Sequence, residues 1–196
     1  MVNYANIYDV GGLGLVDSKR RGERVEMNLS QTLADHPQSI GMLGLYMVEG
    51  GEHADGLTGI VEGRYEDRID RLAEVINKAG RPVLVRIGYE FDGLWNHYDP
   101  EKYIAAYRYL VNRLRTQSPF FLSVWHGTAS PGDYYLDRYK VGVEDEDFRA
   151  WYPGDDYVDW VGVSWFLSQH PMKRAMAQAM ADFADWMPEN ISALVE

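Results

Sequence analysis

Residues 81–98 read RPVLVRIGYEFDGLWNHY. The run Val83–Ile87 is apolar apart from Arg86, opened by Pro82 and closed by Gly88. A half-exposed strand alternates apolar and polar positions, so an unbroken run reads as a strand covered on both faces. A strand that only filled a core would have no use for a carboxylate at its tip. Here Glu90 and Asp92 follow the run, and then Trp95 and Tyr98. The fold turns on whether the neighbouring stretches repeat this pattern.

They do. Upstream, Arg64–Ala79 is an amphipathic helix with Ile69, Leu72, Ala73 and Ile76 on one face, Gly80 as its C-cap and Pro82 barring continuation. Before it lie a predicted strand over Ile40–Val48, a short helix over Leu29–Asp35 ended by His36-Pro37, and a first strand over Asn3–Val10. Leu13–Glu26 is polar and glycine-rich and reads as loop. Downstream, Asp99 caps a helix over Pro100–Gln117 with proline at its first position. Strands are predicted over Phe120–Trp125, Tyr157–Phe166 and Ile191–Val195, with a helix over Met172–Trp186 and an irregular segment over 129–150. Strand and helix alternating at this spacing predict parallel βα units in an α/β fold. A doubly wound open sheet and a (β/α) barrel both fit that order. The glycine-rich phosphate loop that opens the first helix of a dinucleotide fold is missing, which weakens the former.

Bulk composition narrows the partners. The 196 residues argue for one domain, and 46% hydrophobic content argues for a globular one. A formal charge of -11 disfavours nucleic acid and anionic membrane, which need clustered positive charge. Cysteine is absent, which excludes disulfides and thiolate metal sites. Asp155-Asp156 reads as a turn pair without a histidine beside it, so neither metal nor cofactor is expected. No signal-peptide pattern stands at 1–12, and no apolar run approaches the roughly 20 residues that span a bilayer.

Chemistry in parallel αβ folds collects at the C-terminal ends of the strands. Those ends read Tyr46-Met-Val-Glu49, Gly88-Tyr-Glu90-Phe-Asp92, Trp125-His126, Ser164-Trp165-Phe166 and Val195-Glu196. Paired carboxylates protonate a leaving oxygen and attack, or activate water. Aromatics make up 13% of the chain and are the residue type on which sugar rings stack. Arg86, four residues before Glu90 on a period of two, is placed on the same face as a supporting cation.

The segments RPVLVRIGYEFDGLWNHY, FFLSVWH and WYPGDDYVDWVGVSWF together resemble glycoside hydrolase family 26, of glycoside hydrolase clan A. The resemblance covers roughly 40–196 and is most specific over 150–162. It implies a (β/α)8 barrel that hydrolyses β-linked polysaccharides with retention, most often β-1,4-mannan, with β-1,3-xylan and mixed-linkage β-glucan as other family substrates. Carried onto this chain, it implies Glu90 as acid/base and Glu196 as nucleophile. The match places Asp92, Trp95 and Trp125 among the expected substrate contacts, and Tyr89, His126 and Trp165 join them as polar or aromatic groups at strand ends. Tyr89 stands where the family has histidine, and Asp92 where it has asparagine. Only six strands are predicted, so the barrel is expected to be incomplete, as a fragment, a reduced barrel, or one completed by another chain or segment. A secreted or periplasmic bacterial location is the expectation for the full-length protein. The rival reading is a carbohydrate-binding barrel with impaired catalysis; a clan-A xylanase or glucanase would share the same acids.

Overall fold

The computed structural model describes residues 2–8, 13, 17–20, 23–26, 29–47, 56–93, 96–128, 148–164 and 192–195. In chain order the elements are β1 (Val2–Asn6), β2 (Asp17–Arg20), β3 (Glu23–Glu26), α1 (Leu29–Asp35), β4 (Gly41–Tyr46), α2 (Gly56–Val61), α3 (Glu66–Ala79), β5 (Val83–Ile87), α4 (Pro100–Gln117), β6 (Phe121–Thr128), β7 (Trp160–Ser164) and β8 (Ser192–Val195). Short 3-10 turns at Phe148–Trp151 and Asp155–Tyr157 precede β7.

One sheet carries six strands in the order β1-β4-β5-β6-β7-β8. Every pair in it is parallel. Within this sheet the strands follow chain order, with no reversal. That is the winding of a barrel and not of a doubly wound sheet, and it matches the six strands predicted.

Register sorts the side chains into two faces. Leu43, Leu45, Val83, Val85, Ile87, Phe121, Trp125 and Val161 join Ile69, Leu72, Ile76, Tyr103, Tyr107, Leu110 and Leu114 of the helices in the main core. On the opposite face Met42, Leu84 and Val124 pack with Leu122 and Trp160. Two residues further along each strand on that second face, Tyr4, Gly44, Arg86 and Val124 stand level, and beyond them His126 pairs with Gly162 and Thr128 with Ser164. Polar groups therefore accumulate on the face opposite the described helices, toward the C-terminal ends of the strands.

The helices start and stop where local chemistry dictates. Asp99 accepts a hydrogen bond from the Lys102 N–H at 2.9 Å, and α3 ends at Gly80 in the left-handed region (φ 64°). Arg81, at the mouth of β5, donates to the carbonyls of Leu33, His36 (3.0 Å) and Pro37 (2.9 Å). These are the carbonyls that the end of α1 leaves without helical donors, so Arg81 ties that helix to the sheet.

Three expectations are corrected. The stretch 13–26, read as loop, contains the antiparallel pair β2 and β3. A hairpin outside the main sheet needs backbone pairing but no apolar alternation, so periodicity does not reveal it. The sequence reading also placed no element between 50 and 63, where α2 runs. Its segment GLTGIV holds two glycines, which are weak helix formers, yet Leu57, Gly59 and Ile60 are buried there. The strand expected from 157 begins only at Trp160, because Asp155–Tyr157 closes a 3-10 turn first. The helix expected over 172–186 lies outside the described residues.

Candidate active site

The site is built where β5 stops. Ile87 ends the strand, and Gly88 (φ 56°) and Glu90 (φ 54°) both adopt left-handed backbone. Gly88 fits because a β-carbon there would stand 2.5 Å from Met47 Cε and 2.8 Å from Tyr103 Cε2. Glu90 has no such freedom: an L-residue at that φ costs about 1–2 kcal/mol. Its neighbours hold it on both sides. The Glu90 N–H donates to His126 Nδ1 at 3.2 Å. Its carbonyl accepts from the Gly93 N–H at 2.8 Å and from Asn96 Nδ2 at 2.7 Å. Asn96 also donates to the Tyr89 carbonyl at 3.1 Å. Backbone strain held by several independent contacts is typical of functional sites.

The same turn sends neighbouring side chains in opposite directions. Phe91 goes into the helix-side core, stacked on Trp125 with ring centres 4.5 Å apart. The Glu90 carboxylate instead accepts a hydrogen bond from Ser164 Oγ at 2.8 Å, at the end of β7. Ser164 Oγ lies 3.5 Å from His126 Nε2, and Arg86 Nη1 lies 3.4 Å from that same nitrogen. Burial, and next the Arg86 guanidinium, push the His126 pKa down to about 3, so its imidazole is neutral at ordinary pH. Arg86 is itself buried, with its guanidinium over the rings of Tyr4 (5.2 Å) and Tyr89 (5.5 Å).

The predicted site residues within the described range fall as follows. Glu90, His126 and Arg86 are brought together. Arg86 and Glu90 do not share one strand, since the left-handed turn at Gly88 intervenes; Arg86 reaches Glu90 through His126. Tyr89 lies beside the tyrosines of β1 and β4, 5.2 Å from Tyr4 and 6.3 Å from Tyr46. Burial first, and then Tyr4 and Glu90, raise its phenol to about 12, so it stays protonated. Asp92, expected to contact substrate, has both oxygens engaged by Thr128, Oδ1 with the N–H at 2.6 Å and Oδ2 with the hydroxyl at 2.9 Å. It ties the turn after β5 to the end of β6. Burial raises its pKa to about 6 against the pull of those two bonds.

Trp125 requires a correction. Expected among the substrate contacts, it is fully buried between Phe91 and Tyr152 on the helix side of the sheet. Adjacent strand residues face opposite ways, so if His126 faces the site then Trp125 cannot. Trp95, Trp165 and Glu196 lie outside the described residues, as does the separation of the two expected carboxylates. Two participants were not among the candidate site residues: Asn96, and Ser164, which the sequence marked only as the start of a strand end. A serine closing the apolar run Val161–Val163 was the available signal for one; the amide within the aromatic cluster after Glu90 was the signal for the other.

A sequence profile for glycosyl hydrolase family 26 matches residues 52–186, which include Glu90, Asn96, His126 and Ser164. A β-1,3-xylanase, TXYA, from a Vibrio species is 29% identical over 175 residues, covering 86% of this chain and 33% of that protein. A β-1,3-xylanase from an Alcaligenes species is 27% identical over 169 residues, covering 86% of this chain and 32% of that protein. The chain thus spans about a third of the length of these two relatives. Among solved structures, a family 26 protein from a Muricauda species superposes with a TM-score of 0.61 at 17% identity, covering 99% of this chain and 67% of that one. A β-mannanase from Bacteroides ovatus gives 0.59 at 15% identity, covering 100% and 72%. At such identities the superpositions establish the fold, six parallel strands of a (β/α)8-type barrel. By its profile match over most of its length, the chain belongs to glycosyl hydrolase family 26.

Proposed function

We propose that this chain supplies the acid/base of a retaining glycoside hydrolase acting on a β-linked polysaccharide, and that Glu90 is that residue. The observation that carries the proposal is the carboxylate of Glu90, held by Ser164 on the face opposite the described helices, on a backbone kept left-handed by His126 and Asn96. In the first step Glu90 gives its proton to the glycosidic oxygen as the C–O bond breaks. A second carboxylate, for which Glu196 is the candidate, bonds to the anomeric carbon. In the second step Glu90 takes a proton from water as its oxygen displaces that carboxylate, which returns the starting enzyme with configuration retained. Retention asks for the two carboxyl groups about 5–5.5 Å apart.

For the substrate, β-1,3-xylan comes first, because the two curated relatives, at 29% and 27% identity, are β-1,3-xylanases. The family resemblance of the sequence keeps β-1,4-mannan as the second reading. The test is reducing-end release from β-1,3-xylan, β-1,4-mannan and mixed-linkage β-glucan by wild type and Glu90→Gln. Activity on one glycan that drops by about 100-fold or more in a folded Glu90→Gln is expected. Full activity of that variant would overturn the role of Glu90. Glycan binding without product would favour a carbohydrate-binding barrel instead.

A further inference from the structure

Glu90 is held by its backbone and by its side chain through one closed set of contacts. The Glu90 N–H donates to His126 Nδ1 at 3.2 Å. An imidazole nitrogen that accepts carries no hydrogen, so the proton of the neutral ring sits on Nε2. Among the described residues, Arg86 Nη1 and Ser164 Oγ stand near that nitrogen. Arg86 Nη1, at 3.4 Å, can only donate, so it offers Nε2–H nothing to bond. Ser164 Oγ, at 3.5 Å, can accept, in a long bond. With its oxygen turned to the imidazole, the serine's own hydrogen points to Glu90 Oε1 at 2.8 Å. The circuit runs from the Glu90 amide through His126 and Ser164 back to the Glu90 carboxylate.

We infer that Ser164 and His126 are positioning residues for Glu90, closing a hydrogen-bond ring that fixes which carboxyl oxygen faces the scissile bond. The inference rests on the acid/base reading of Glu90 given above. Ser164 occupies Oε1, so the transferable proton sits on Oε2. His126 is fully buried and Ser164 almost so, at the ends of β6 and β7, where His126 pairs with Gly162 and Ser164 with Thr128. The Arg86 guanidinium beside the ring opposes a second ring proton and so keeps the imidazole neutral, while the Glu90 amide sets which nitrogen carries the single proton.

The test compares kcat/KM, which reports formation of the glycosyl-enzyme, on two kinds of substrate. One is the polysaccharide that the wild type cleaves. The other is the 2,4-dinitrophenyl glycoside of its disaccharide unit, whose leaving group departs without protonation. Glu90→Ala is expected to lose about 100-fold or more on the polysaccharide and far less on the aryl glycoside. Ser164→Ala should show the same selectivity on a smaller scale, about 10-fold on the polysaccharide and within about 2-fold on the aryl glycoside, while Ser164→Thr, which keeps the hydroxyl, restores most of the loss. Equal losses of Ser164→Ala on both substrates, or no loss on either, overturn the positioning role and leave Glu90 as acid/base. A Glu90→Ala that loses both substrates equally, or neither, overturns the acid/base reading and the positioning role with it.

Discussion

Glu90 adopts a backbone that an L-residue takes at a cost, and the molecule meets that cost with side chains drawn from elsewhere. Asn96 is the economical part of this arrangement. One buried amide nitrogen serves the carbonyls of both Tyr89 and Glu90. Removing it leaves two carbonyls of a tight, enclosed turn without that donor. Asn96→Ala is therefore expected to lower thermal stability by about 1–3 kcal/mol and to cut the turnover of the glycan. Asn96→Asp, equal in shape but unable to donate, should be no better than alanine in a thermal melt and in reducing-end release. A fully active and stable Asn96→Asp would show that the clamp on the carbonyls is dispensable.

At the scale of elements, the site depends on how closely β4, β5 and α4 approach at one point. The Gly88 N–H bonds the Leu45 carbonyl at 2.8 Å, and the Tyr103 hydroxyl bonds the Ile87 carbonyl at 2.9 Å. The Tyr98 hydroxyl accepts from the Met47 N–H at 3.2 Å. Gly88 sits among these three contacts with no room for a methyl group and with positive φ. Gly88→Ala combines overpacking and backbone strain, each costing about 1–3 kcal/mol, and is expected to melt well below the wild type. It should also weaken glycan hydrolysis, since the turn that carries Glu90 starts there. A wild-type melting temperature in Gly88→Ala would contradict this account of the junction. The elements themselves are readable from sequence where they are long or capped: β5 and α4 begin and end where the residues said. The hairpin β2–β3 and helix α2 escaped because the first needs no apolar pattern and the second is short and rich in glycine.

For the molecule as a whole, two groups of the site link stability to pH with opposite signs. His126 has its pKa lowered to about 3 from 6.5. As pH falls below 6.5 the unfolded chain takes up a proton there that the folded chain refuses, so this contribution to stability is present above 6.5 and lost toward pH 3. Asp92 has its pKa raised to about 6 from 3.8. Its folded form takes up the proton first, so its contribution is present below 3.8 and lost as pH rises through 6. Between pH 3.8 and 6 the two oppose each other. Asp92→Asn removes one of them. Urea unfolding across that range is expected to show stability falling more steeply with acid in Asp92→Asn than in the wild type. Equal slopes would mean that Asp92 titrates alike in the folded and unfolded chains.

The sequence by itself determined the parallel βα order, the six strands, the caps of α4 and α3, and Glu90 as the carboxylate of interest. These follow from short-range physics: apolar runs, helical periodicity, and residues that stop or start a helix. It also marked His126 and Arg86 as candidate site residues, because polar groups in and at the ends of apolar strands are a local signal, while the way each reaches Glu90 was left to the fold. Only the tertiary structure decided that Trp125 belongs to the helix-side core, since the face a strand residue takes depends on the register of the whole sheet. Only it brought Ser164, 74 residues away along the chain, to the carboxylate of Glu90, and only it showed Asn96 closing on the Glu90 carbonyl. A hydroxyl or an amide carries no sign of its partner in the sequence; the partner is chosen by the packing that brings one strand end or turn beside another.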